Sequence, residues 1–310
     1  MKVFYSLDDL PVFNKTVFTQ GTFDGVHIGH QEILNQLLIE KQKNGGETLV
    51  MTFWPHPRLT LNPSDSSIKL LQTLEERIEK LRKCGIDNLI VLPFDKQFSQ
   101  IEAKDFIAEI LIKKLNIGAC VFGYDHRFGK ERKGDINLLK KYAEEYNFKV
   151  IEIDAQIINN VSVSSTKIRL ALKAGDIKTA NQFLGSEYTI SGEVVEGRKI
   201  GRTIGFPTAN ILIKDSEKLL PKQGVYVVKS IINHTIVYGM LNIGTNPTFQ
   251  NSDLKIEVHF FDFNKDLYHQ TLTINILKWM REEKKFDRIE DLALYLQLDK
   301  QNAIEYIENI

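Results

Sequence analysis

The sequence predicts a parallel α/β sheet domain followed by a small closed antiparallel β-barrel with a C-terminal helix. Two observations predict it. Over the first half, short apolar runs alternate with helix-period segments, the pattern of parallel strands covered by helices. Beyond Leu184-Gly185, a helix C-cap signal, the period becomes that of strands, in five or six stretches ahead of one last helix. At 310 residues the chain is long enough for two cores. We place the boundary near residue 186, giving domains 1–186 and 187–310.

The first half is organised around Thr16–Gln31. Val17-Phe18-Thr19 reads as a buried strand entering a turn punctuated by Gly21 and Gly25, where glycine makes a positive φ or a close backbone approach cheap. His27 and His30 follow, three apart on one face of the first turn of a helix expected over about 31–43. Strand, glycine turn and helix N-terminus form an anion site, to which the imidazoles add donors, and Gly29 leaves room for a flat ring such as adenine. A histidine at a helix start also serves as a cap. Zinc is a competitor, but the zincin pattern spaces its histidines at i and i+4 around a glutamate.

Further strands are expected over 47–53, 88–92, 119–122 and 149–153, and helices over 73–83, 103–115, 135–146 and 164–174. Trp54-Pro55-His56-Pro57-Arg58 is expected to be irregular, having two prolines so close. The glycine-bounded Tyr124-Asp125-His126-Arg127-Phe128 is a second loop at a strand end. In doubly wound sheets ligands collect beyond the carboxyl ends of the strands, so these loops and the histidine turn should converge on one crevice. Ser164, Ser165 and Thr166 with Lys167 and Arg169 put hydroxyls, amides and cations into one turn, either a plain N-cap or a second phosphate grip.

In the second half, strands are expected over 188–195, 224–230, 235–243, 255–261 and 271–278, and a helix over 288–309. Glycines at 197, 201 and 205 make a flexible flap ending in Pro207-Thr208-Ala209-Asn210. Thr208 and Asn210 put neutral oxygens on one side of an extended segment, suited to Mg²⁺ that keeps several waters. Glu257 and His259 share one face of the following strand, and Glu257 is a candidate general base.

Zero formal net charge disfavours an extended nucleic-acid surface. Cys84 and Cys120 lack a CxxC partner and read as buried thiols in a reducing compartment. No run reaches membrane-spanning length, and MKVFYSLDDL lacks a signal-peptide core. A soluble cytoplasmic protein is expected, without nucleic-acid or membrane partners and a monomer or weak homo-oligomer.

GTFDGVHIGHQ resembles the HxGH signature of the nucleotidyltransferase superfamily, which binds ATP and transfers a nucleotidyl group. With TFWPHPR, FGYDHRFG, SSTKIR, GRTIGFPTAN, NIGTNPTF, EVHFFDF and REEKKF following in order, the chain resembles the bacterial bifunctional riboflavin kinase/FAD synthetase family over nearly its whole length. The resemblance implies a Rossmann-like nucleotidyltransferase domain that adenylylates FMN to FAD, releasing pyrophosphate, and a barrel domain that phosphorylates riboflavin to FMN, both with ATP and Mg²⁺. It implies that His27 and His30 hold ATP phosphates, with Gly21, Phe23, Asp24 and Gly29 around the nucleotide. Ser164, Ser165, Thr166 and Arg169 would form an opposing clamp, and Pro57, Arg58, Asp125, Arg127 and Phe128 would lie at the flavin. In the kinase it implies ATP at Gly201, Arg202, Gly205, Pro207, Thr208 and Asn210, with Mg²⁺ on the last two polar side chains. Glu257 would take the proton of the ribityl 5′-hydroxyl, with Arg281 and Glu283 near the flavin. Three positions depart from the family pattern: Asp125 for an asparagine, His126 for an aromatic residue, and His269 for a glycine after Tyr268. Two other readings stay open: a class I aminoacyl-tRNA synthetase-like enzyme, since HIGH stands at 27–30 although KMSKS is missing, and a flavin-binding regulatory protein on the same scaffold.

Overall fold

The structure, a computed structural model, describes residues 1–61, 68–158, 161–197, 199–245 and 254–310. Asn246-Pro247-Thr248-Phe249 of the NIGTNPTF stretch lie outside the described residues. The chain falls into two compact units, Met1–Ser165 and Thr166–Ile310.

The first unit is a six-stranded parallel sheet. Its elements are β1 (Lys2–Phe4), β2 (Thr16–Gln20), α1 (Ile28–Asn44), β3 (Glu47–Phe53), α2 (Pro57–Leu61), α3 (Leu74–Lys83), β4 (Asn88–Leu92), α4 (Lys96–Ser99), α5 (Ala103–Asp105), β5 (Ile117–Gly123), α6 (Ile136–Tyr146) and β6 (Lys149–Ile153). Strand order is β1-β4-β3-β2-β5-β6, every pair parallel. Successive strands run outward from β2 through β3 and β4 on one side, and through β5 and β6 on the other. The order therefore reverses between β2 and β5, the place where a crevice opens at the carboxyl edge of such sheets. Alternation divides the core into two. Phe18, Leu49, Met51, Ile90, Cys120 and Phe122 pack on one face, and Val17, Val50, Leu89, Val91, Ala119 and Val121 on the other.

Helix α3 opens with a capping box between Thr73 and Glu76, and Asp135 caps α6. Two expectations are corrected. The 54–58 stretch is not wholly irregular, because α2 starts at Pro57, where the missing N–H costs nothing in a first helical turn. The helix expected over 103–115 is one α turn continued as a π-helix over Phe106–Lys114. Its wider turn lines up Phe106, Ile107, Ile110 and Leu111, all buried, at four- and five-residue spacing. Two short strands, β7 (Ile157–Ile158) and β8 (Val161–Ser162), pair antiparallel after the sheet.

The second unit contains α7 (Ser165–Ala174, from its second residue on), α8 (Ile177–Leu184), β9 (Tyr188–Val195), α9 (Ile200–Thr203), β10 (Ala209–Leu212), β11 (Gly224–Ile232), β12 (Thr235–Gly244), β13 (Lys255–Phe260), β14 (Thr271–Arg281) and α10 (Ile289–Glu308). The six strands close an antiparallel barrel in the order β10-β13-β12-β11-β14-β9, with β9 pairing back to β10. Helix α8 ends at Gly185 in the left-handed conformation, and Asn181 ties it to the barrel by bonds to Ile276 O and Tyr188 N. Helix α10 lies over one barrel face, where Ala303 packs with Val225, Val227, Met240 and Leu277.

Candidate active sites

At the carboxyl end of β2 the chain turns through three left-handed residues, Phe23 (φ 48°), Gly25 (φ 91°) and Val26 (φ 40°). Only the glycine takes this freely; a β-branched valine there is strained and is held by its surroundings. Gly21 is not left-handed. It supplies space, since a Cβ there would meet the Phe23 ring at 3.2 Å. The holding groups come from far along the chain. The Asp24 carboxylate, buried, accepts from Leu71 N (3.0 and 3.1 Å) and Gln72 N (3.2 Å), and the Gln72 amide oxygen accepts from Gly25 N (3.1 Å). The fully buried Arg77 guanidinium stands 3.8 Å from Asp24, within reach of Phe53 O and 5.3 Å from the Trp54 ring. Lys80 Nζ donates to Gly25 O (3.2 Å), and Ser165 Oγ donates to Asp24 O (2.9 Å). Asp24, expected at the nucleotide, thus has its carboxylate turned into the fold. Gln72, Arg77 and Lys80 have no signature in the sequence, where an arginine on an amphipathic helix reads as a surface residue.

His27 is both cap and site residue: its Nδ1 accepts from His30 N (3.4 Å) at the start of α1. The two imidazoles stack at 3.7 Å between ring centres, 16° from parallel, and His30 also meets Phe23 at 5.1 Å. A Cβ on Gly29 would come within 3.2 Å of the His27 ring, so the glycine lets that stack form. His30 Nδ1 is buried without a hydrogen-bond partner among the described residues. Burial first, then the nearby His27, Arg77 and Lys80, hold the His30 imidazole well below its ordinary pKa, so the ring is neutral at pH 7. Stacked imidazoles, the first amides of α1 and two cations close behind make a site able to receive phosphate charge.

The other expected residues of this unit divide. Arg58 and Asp125 are exposed, and Arg58 N donates to His56 Nδ1 (3.2 Å). Arg127 pairs with Asp135 at 2.9 Å, so its charge is directed to Asp135. Phe128 is a core residue, 4% exposed and 5.6 Å from the Phe106 ring, and supports its loop from beneath. His126, where the resemblance leads one to expect an aromatic residue, packs like one, stacking on Phe122 at 4.1 Å. Its Nε2 is buried without a partner among the described residues, and burial, with the Arg132 charge, pushes its pKa down to about 3. Ser164 is half-buried just before α7, while Thr166 and Arg169 lie on α7 in the second unit.

On the barrel, strand register assembles the site. Asn210 on β10 pairs with Glu257 on β13, Glu257 with Asn242 on β12, Asn242 with Val225 on β11, and Val225 with Arg281 on β14. Paired residues share a face, so this row lies on one face of the barrel, with its Val225–Arg281 end against α10. The Thr208 hydroxyl lies 3.5 Å from Glu257 Oε2, and the Asn210 side chain fills the space over Gly197. Hydroxyl, amide oxygen and carboxylate are hard oxygen donors of the kind Mg²⁺ takes. Glu283 accepts from Asn242 Nδ2 and from Thr245 N, both at 3.0 Å. Arg281 makes a two-pronged pair with Asp299 of α10, Nε to Oδ1 at 2.9 Å and Nη2 to Oδ2 at 2.6 Å. Phe206 N bonds to Gly201 O (2.8 Å), closing the flap's last turn, while Gly205 is left-handed (φ 80°) and Arg202 reaches the Tyr268 hydroxyl (3.3 Å). Beside it, His269 takes φ 62° while its N–H bonds to Val194 O, so it keeps the backbone that a glycine would adopt.

Comparison with known proteins agrees with both halves. The FAD synthetase family model matches residues 10–167, and the riboflavin kinase model matches 184–307. The bifunctional riboflavin kinase/FMN adenylyltransferase of Listeria monocytogenes is 39% identical over 297 residues, 96% of this chain and 93% of that one. Its counterpart from Escherichia coli is 36% identical over 291 residues, 94% and 92% of the two chains. A crystal structure titled as a macrolide-efflux protein from Streptococcus pneumoniae superposes with a TM-score of 0.86 at 33% identity, covering 96% of this chain and 97% of that one. None of the described helices is long and apolar enough to cross a membrane. With two family models matched in order and relatives of one kind along nearly its full length, this chain belongs to the bifunctional riboflavin kinase/FMN adenylyltransferase family, and it is an enzyme that uses ATP both to phosphorylate riboflavin and to adenylylate the resulting FMN.

Proposed function

We propose that residues 1–186 carry FMN adenylylation and residues 187–310 carry riboflavin phosphorylation, so that the chemistry runs opposite to the chain. In the kinase, Glu257 removes the proton from the ribityl 5′-hydroxyl as that oxygen attacks the γ-phosphorus of ATP, and the bond from that phosphorus to the bridging oxygen breaks so that ADP leaves. Thr208 and Asn210 would hold the Mg²⁺ that accompanies ATP, and the backbone from Gly201 to Pro207 wraps the phosphates. When bound, the metal neutralises phosphate charge. Arg281, fixed by Asp299, and Glu283, fixed by Asn242, border the flavin.

In the adenylyltransferase, His27 and His30 donate to ATP phosphate oxygens and stabilise the charge that builds as pyrophosphate leaves. Ser164 and Ser165 grip the same phosphates, and Arg58, Asp125 and Arg127 lie towards FMN. Both reactions are in-line attacks on phosphorus, where positioning and charge neutralisation supply most of the acceleration. The enzyme works in the cytoplasm, as a monomer or weak homo-oligomer, without nucleic acid.

The observation that carries this reading is the pairing of Asn210 with Glu257 on adjacent strands, with the Thr208 hydroxyl beside the same carboxylate. A general base and two neutral oxygen ligands in one row are what transfer from Mg-ATP to a hydroxyl requires. A chromatographic time course of the purified chain with riboflavin, ATP and Mg²⁺ tests it. FMN appears first and FAD later. FMN alone would remove the adenylyltransferase assignment, and no turnover at all would leave a flavin-binding protein.

A further inference from the structure

The flap segment carrying Thr208 has a support outside the barrel ladder. Strand β10 pairs with β13 at Asn210–Glu257 and Ala209–Val258, where the ladder ends. Continued by one step, the register would set Thr208 opposite His259. There a side chain takes over from the backbone: His259 Nδ1 lies 2.8 Å from Pro207 O. A carbonyl oxygen only accepts, so Nδ1 carries the proton. His259 is 7% exposed, and the edges of Phe206 (5.2 Å) and Phe261 (5.9 Å) fix its ring plane. Burial holds the imidazole below its ordinary pKa, which keeps it neutral, with a single N–H spent on this bond. Pro207 O belongs to the peptide unit that ends in Thr208 N, so the bond sets the plane from which the Thr208 hydroxyl reaches Glu257.

We propose that His259 is a positioning residue for riboflavin phosphorylation, its Nδ1–H holding the Pro207 carbonyl so that Thr208 presents its hydroxyl beside Glu257 to the phosphates of ATP. The inference rests on the reading of Thr208, Asn210 and Glu257 as the kinase site. His259 touches no reacting atom. It extends the β10–β13 register past the last backbone pair, at the point where the flap must be exact in place yet free of the sheet.

The test uses the full chain and the variants H259A, H259N, H259Q and E257Q. The asparagine amide nitrogen falls where Nδ1 stands, whereas the glutamine nitrogen falls where Nε2 stands, so only asparagine keeps the bond. H259A and H259Q raise the kinase KM for ATP by about tenfold, the worth of one lost hydrogen bond, while H259N stays within about threefold of the parent. FMN adenylylation by the same preparations does not change. Equal impairment of H259N and H259Q, or a loss that follows the fall in Tm across the series, overturns the proposal. If H259A does not fold, the asparagine–glutamine pair still decides. Loss of phosphorylation in E257Q with an unchanged KM for ATP in H259Q removes the positioning role alone. Full kinase activity in E257Q removes the site reading on which it rests.

Discussion

The two sites hold their polar groups by opposite means. At the sheet, the turn through Phe23, Gly25 and Val26 is strained and is kept in place by residues about fifty positions away: Leu71, Gln72, Arg77 and Lys80. At the barrel, Asn210, Glu257 and Asn242 are neighbours because β10, β13 and β12 are in register, and no buried charge is needed to bring them together. For these three residues register separates support from chemistry, since the backbone ladder survives loss of a side chain, whereas Thr208 and Arg281 lean on His259 and Asp299. A site made by a recruited network does not separate them. Residues that never meet substrate then matter as much as those that do.

The widest separation is expected at Glu257. Replacing it by alanine leaves the ladder intact and slows riboflavin phosphorylation by roughly 10²–10⁴-fold, the usual worth of a general base. FAD formation from supplied FMN continues, and Tm stays close to that of the parent. A kinase with normal turnover would dismiss Glu257 as the base. A collapse in Tm would show that the barrel site also depends on its functional side chains, which would break the comparison.

At the sheet site, His30→Ala removes the donor proposed for the developing charge, and loss of such a donor typically lowers turnover by roughly 10²–10³-fold. FAD formation falls by that factor while FMN accumulates from riboflavin. Continued FAD synthesis in a time course would contradict the assignment. The supporting network gives the next effect. Arg77→Met takes the guanidinium away from the buried Asp24 carboxylate and, by the usual cost of breaking a buried pair, lowers stability by about 3 kcal/mol. Chemical denaturation measures it. A change below about 0.5 kcal/mol, the ordinary surface value, would mean that the amides of Leu71 and Gln72 hold Asp24 alone.

Much of this was legible in the sequence, and what was not has a physical reason. Strands Glu47–Phe53, Asn88–Leu92, Lys149–Ile153 and Tyr188–Val195 have the bounds their patterns give: the first two are buried apolar runs with sharp ends, and Tyr188–Val195 alternates buried and half-buried residues. The strand Lys2–Phe4 was not legible: three residues at a sheet edge carry no period. His27 and His30 stood out by spacing, and Thr208 with Asn210, and Glu257, by strand alternation either side of the flap, although their pairing in one row did not. Arg77, Asp299 and the Pro207–His259 bond stayed silent, because each is a contact between residues distant in the chain whose types mean nothing singly. The same blindness runs the other way for Phe128, which looks like a ligand platform in its loop and is a core residue in the fold.

The smallest effect lies at His126, where one side chain serves as an aromatic support and remains titratable. Its pKa is held at about 3 in the folded chain against about 6.5 in the unfolded one. Between those values the unfolded chain binds a proton that the native state does not, so stability rises with pH across the window and is lost as pH falls below about 6.5. At pH 5 the loss from this group amounts to at most about 2 kcal/mol, from 1.36 kcal/mol per unit of separation. His30 and His259, also held neutral, add losses of the same sign. Phenylalanine at 126 keeps the stack on Phe122 and has nothing to protonate. Denaturation at pH 7.5 and pH 5 should therefore show His126→Phe losing less stability than the parent, with a residual slope left by His30 and His259. Equal losses in the two proteins would place the acid sensitivity elsewhere, and the loop at 123–129 would then be indifferent to the charge of its own support.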